Sequence, residues 1–109
     1  MADNWPIPSD LSPLGKQAAD TIHQFLVEKG LTDHGGGGAF HSPSEWADRG
    51  EEYGTNSLLV IVHDGGDHAA AFNSDYQAED LQEELRTRLR AVNTYVEQCT
   101  SWYSAIYAK

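Results

Sequence analysis

The stretch from Ser57 to Phe72 constrains this chain more than any other. Its first half, Leu58 to Val62, is an unbroken apolar run, far short of the roughly 20 residues of a membrane span. Such a run is buried on both faces of a sheet. Its centre, Asp64-Gly65-Gly66-Asp67, has the composition of a tight turn, because paired glycines supply the positive φ of a two-residue primed turn without steric cost. The sequence predicts a β-hairpin over 57–72 in which Asp64 faces Asp67, His63 faces His68, Val62 faces Ala69 and Leu59 faces Phe72. Alternation then puts Leu59, Ile61, Ala70 and Phe72 on one face, with Leu58, Val60, Val62, Ala69 and Ala71 on the other.

Helices are expected on either side of this hairpin. Ser12-Pro13 reads as an N-cap followed by proline at the first helical position, and Leu14, Ala18, Ile22, Phe25 and Leu26 follow at helical spacing until Gly30 stops the run. Ser42-Pro43-Ser44-Glu45 has the form of a capping box and predicts a helix of two to three turns, with Trp46 and Tyr53 on one side. A third helix is expected over about 75–92, capped by Ser74 and carrying Ala78, Leu81, Leu85, Leu89 and Val92 as its apolar stripe. Beyond Asn93, read as a C′ residue that ends the helix, Thr94 to Cys99 favour a strand. Trp102, Tyr103, Ile106 and Tyr107 are expected on a short final helix. Residues 1–11, with Pro6 and Pro8, read as an extended arm anchored by Trp5 and Ile7, and 12–109 as a single domain. The fold class is α+β: a small antiparallel sheet centred on the 57–72 hairpin, packed by helices at about 13–29 and 75–92.

Charge narrows the function classes. Seventeen acidic residues against seven basic ones give a net charge of −10, which repels nucleic acid phosphates and anionic membranes and suits a basic protein partner. With Cys99 the only cysteine there is no internal disulfide, and Met1 to Pro6 lack the basic and apolar regions of a signal peptide, so a cytoplasmic location is expected.

Several motifs invite chemistry. Gly35 to Gly38 lack the Lys-Ser/Thr of a P-loop and read as a flexible connection. Cys99 lies among apolar neighbours, where a free thiol is a small buried hydrophobe. The hairpin would bring His63 and His68 side by side, about 4.5–5.5 Å apart at Cβ, a separation that suits one shared metal. A zinc or iron site there needs a further donor from His34, His41 or Glu45, and would support a metal-dependent hydrolase. The competing reading takes these histidines as strand-end residues beside a tight turn.

The favoured expectation is a small acidic, non-enzymatic binding protein. It engages a protein partner, as a monomer or a homodimer, through its acids and the aromatic tail of Trp102, Tyr103, Ile106 and Tyr107. Inhibitor, immunity-type, chaperone-like and nucleic-acid-mimic roles all suit this size and charge. The alternative is the metal-binding protein or hydrolase built on His63 and His68.

Overall fold

A computed structural model describes residues 5–33, 38–63, 66 and 68–109. Its centre is β2 (Leu59–Val62), every residue of which is buried. β2 lies between β1 (Ala39–His41) and β4 (Tyr103–Ala108), and β3 (Thr94–Gln98) completes an antiparallel four-stranded sheet of order β1-β2-β4-β3. Leu59 pairs with Ile106 and Val62 with Tyr103, while Phe40 lies opposite Ile61. The α+β class, the small antiparallel sheet and the central position of the Leu59–Val62 run are as the sequence predicts.

The local signals around the sheet act as caps. Ser12 accepts the Gly15 N–H at 3.0 Å and opens α1 (Pro13–Lys29), which Gly30 closes at φ 69° with its N–H directed to carbonyls of the last turn. Gly15 lies where the helix crosses the start of β2, so closely that a Cβ there would be 2.6 Å from the Leu58 carbonyl oxygen. Ser42 caps α2 (Pro43–Asp48) through the Glu45 N–H, but that helix ends well before Tyr53, with Gly50 and Gly54 at φ 82° and 83°. Consequently Trp46 is buried while Tyr53 is exposed.

The expected 57–72 hairpin forms only in its first strand. Ala69–Phe72 is a helical turn, α3, and the sheet's tight hairpin is instead β3 with β4. The turn at Gly65-Gly66 lies partly outside the described residues. Two physical reasons account for the change. Ala69-Ala70-Ala71 lacks the β-branched and aromatic side chains that favour strands and has high helix propensity. The segment is also held to α4 (Glu79–Arg90), because Gln82 Nε2 donates to the carbonyls of Ala70 and Asn73, both at 3.0 Å.

The same exchange corrects the C-terminus. Thr94–Gln98 is the expected strand, reached through Asn93 in the left-handed region at φ 62°, but the expected final helix is strand β4. Tyr103, Ile106 and Tyr107 fit a helical spacing, yet Tyr103-Ser104-Ala105-Ile106-Tyr107 also alternates in a way a half-covered strand accepts. α4 starts later than expected: Ser74–Tyr76 form a separate 3₁₀ turn capped by Asn73, and Gln77 at φ 55° breaks the path to Glu79.

Each sheet face carries its own core. Phe40, Leu59, Ile61 and Ile106 pack with Ile22, Phe25 and Leu26 of α1 and Leu85 and Leu89 of α4. Trp5 joins this core, its Nε1 donating to the Thr32 carbonyl at 2.9 Å, and Ile7 packs against it. On the opposite face Val60, Val62 and Tyr103 pack under Trp46 of α2. Among the described residues no helix is long and apolar enough to cross a membrane.

Candidate functional site

The second face of the sheet is covered unevenly, and the uncovered part is the candidate site. Over β1 and β2, Trp46 closes the face: its ring lies 4.9 Å from Tyr103, 5.8 Å from Trp102 and 5.0 Å from His41. Arg49 lies over the Trp46 ring at 4.4 Å. Strands β4 and β3 extend beyond this roof. There Tyr107 stacks on Tyr95, with centroids 5.6 Å and planes 28° apart. Alternation along β3 turns Tyr95 and Glu97 to the same face, and both are exposed.

A groove of ≈ 460 Å³ runs between the 52–56 segment and β3, lined by Glu52, Tyr53, Glu97, Cys99 and Tyr107 among others. Gly54 makes this wall. At φ 83° it brings the segment so near the sheet that a Cβ would lie 3.4 Å from both Ala105 Cβ and Val60 Cγ2. The Tyr103 hydroxyl donates to the Tyr53 carbonyl at 3.3 Å and secures the same segment.

The groove is acidic, lined by the carboxylates of Glu52 and Glu97. Burial, reinforced by the neighbouring Glu97 carboxylate, pushes the Cys99 thiol up. Burial likewise raises the Tyr107 phenol, with Cys99 and Glu97 adding to it. At neutral pH, Cys99 is therefore a thiol rather than a reactive thiolate. Neither Glu52 nor Glu97 enters an ion pair among the described residues. All four arginines and Lys29 are occupied elsewhere: Lys29 and Arg88 with Glu84, Arg88 with Glu28, Arg86 and Arg90 with Glu83, and Arg49 with Glu51.

The residues expected to bind a partner separate in the fold. Ile106 is fully buried in the first core and Tyr103 is 2% exposed in the second, so neither is a surface anchor. Trp102 is partly buried beside Trp46, and only Tyr107 reaches the groove. Tyr95 and Glu97 are not singled out by the sequence, and Tyr53 is expected there only on a helix side with Trp46. The available signal was the Tyr95-Val96-Glu97 alternation, which sends two polar-tipped side chains to one side of an edge strand.

The expected metal ligands also divide. His63 and His68 are both fully buried around Phe72, their rings 5.5 Å and 6.3 Å from it. His63 Nε2 lies 3.0 Å from Ser104 Oγ. His68 Nε2 lies 2.9 Å from the Val62 carbonyl, which can only accept, so that nitrogen carries the proton. His68 is the N-cap of α3 rather than a strand residue, so strand pairing does not set the two histidines side by side. His41 is on the opposite face, with Nδ1 2.9 Å from the Glu45 carboxylate, so the sheet separates it from His63. His34 lies outside the described residues. Among those described, no group of three or more histidine, cysteine or acidic side chains is placed to hold one ion.

The chain matches no protein-family model, no curated protein and no solved structure.

Proposed function

We propose that this chain is a small acidic binding protein, with no catalytic role, that engages a basic protein partner across the open half of its second sheet face. The single observation that carries the reading is the groove. Exposed Tyr53 and half-buried Tyr107 line it with two carboxylates that have no ion-pair partner among the described residues, and exposed Tyr95 stacks on Tyr107 at its side. Tyrosines offer large contact area with few rotatable bonds, and unpaired acids on a chain of net charge −10 steer cations toward it. The same charge disfavours nucleic acid and anionic membrane as ligands. A reducing cytoplasm suits Cys99 as a free thiol. Inhibition, immunity and chaperoning all use this kind of contact.

The test is a nitrogen-edited NMR titration with a mixed lysine/arginine peptide and its glutamate counterpart. The basic peptide is expected to shift amides at 52–56, 95–99 and 107, and Glu52→Gln with Glu97→Gln to weaken it. Shifts scattered over the surface, or none, would refute the assignment.

A further inference from the structure

We infer that the groove between the 52–56 segment and β3 takes arginine side chains from an extended segment of the partner, in preference to lysine. This rests on the binding role proposed above and specifies its chemistry. The site offers flat aromatic faces and carboxylates together. Tyr53, 52% exposed, and Tyr107 line the groove with Glu52 and Glu97, and Tyr95, 43% exposed, stacks on Tyr107 at its side. A guanidinium satisfies both features at once, because its plane stacks on a ring while its N–H fork meets a carboxylate. An ammonium satisfies the carboxylate alone and keeps its hydration.

The fold already uses this combination internally. Arg88 lies over the Phe25 ring at 5.2 Å while donating to Glu28 and Glu84, each at 2.8 Å. Arg49 lies over Trp46 at 4.4 Å and pairs with Glu51 at 3.5 Å. At the groove the rings and acids are present, and no arginine of the described chain pairs with them. Charge complementarity also decides against a second copy as occupant, since each copy brings a net charge of −10 and its arginines are already paired.

The experiment compares two peptides of one sequence, with every cation arginine in one and lysine in the other, by calorimetry and NMR on the full chain. The arginine peptide is expected to bind roughly threefold tighter or better, the scale of an exposed cation–π contact. Tyr95→Ser, at an exposed position that leaves the core intact, should reduce that preference, and Glu97→Gln should weaken both peptides. Equal affinity with shifts confined to the groove would overturn the arginine inference and leave the binding role standing. Absence of binding by both peptides would overturn both. Self-association that covers the groove, seen by sedimentation, would overturn the choice of occupant.

Discussion

Tyr95 and Tyr107 face each other across the β3–β4 pair and stack at 5.6 Å, on a stretch of sheet that α2 leaves uncovered. A cross-strand aromatic pair contributes about 0.2–1 kcal/mol relative to alanines, so the contact is a minor support of the fold. Tyr95→Ser should therefore lower stability by no more than about 1 kcal/mol, read as a small fall in the urea midpoint. A larger loss would mean that Tyr95 is a structural residue first.

Trp46 is fully buried, and its indole N–H has no acceptor among the described residues. Its contribution is then packing of the ring, not a hydrogen bond. Trp46→Phe should cost about 1 kcal/mol, the void of the missing ring atoms, whereas Trp46→Ala should cost about 3–5 kcal/mol. Chemical denaturation of the two variants checks the ratio, and near-equal losses would contradict it.

Gly15 sets two effects against each other. Alanine improves helix propensity by about 1 kcal/mol. Its Cβ, however, would meet the Leu58 carbonyl oxygen at 2.6 Å, and that carbonyl belongs to backbone leading into the central strand. The clash should win, leaving Gly15→Ala about 1–3 kcal/mol less stable, the usual range for overpacking. A stabilised variant would show that α1 can move off the sheet at no cost.

His68 is wholly buried and bonded to the Val62 carbonyl. His68→Ala removes that bond and leaves the space of a ring, so a loss of about 2–4 kcal/mol is expected, more than a strand-end histidine would cost. Thermal melts provide the readout. Elemental analysis of the purified protein and of the His63→Ala/His68→Ala pair, with zinc or iron supplied, separately examines the metal alternative.

The α1–α4 seam predicts an acid response. A hydrogen bond from Arg88 holds the Glu28 carboxyl below its ordinary value of 4.5, and one from Lys29 does the same for Glu84. Because folding lowers these values, the seam stabilises fully above about 4.5, and its contribution is lost as pH falls through the lowered folded values. Glu28 is exposed and Glu84 partly so, and the effect is modest and screened by salt. Urea midpoints taken from neutral pH downward should fall less steeply for Glu28→Gln/Glu84→Gln than for the parent, and identical slopes would remove the seam from the acid response.

Short-range chemistry was legible in the sequence. Ser12-Pro13 and Gly30 mark both ends of α1, Ser42 starts α2, and Asn93 stops the chain between α4 and β3, because a cap or a left-handed residue acts within one turn. The Leu59–Val62 run was legible as a central strand, since an apolar stretch of that length is buried on both sides wherever it lies. Which strand lies beside it was decided by the tertiary structure. Such a run accepts any antiparallel neighbour, and β4 has that place while Ala69–Phe72 coils against α4. Exposure of the tyrosines followed from the same choice. Once β4 was a strand, alternation drew Ile106 into one core and Tyr103 into the other. Tyr107 was left with Tyr95 beyond the reach of Trp46. That outcome depends on how far a six-residue helix can cover a four-stranded sheet, which no local pattern encodes.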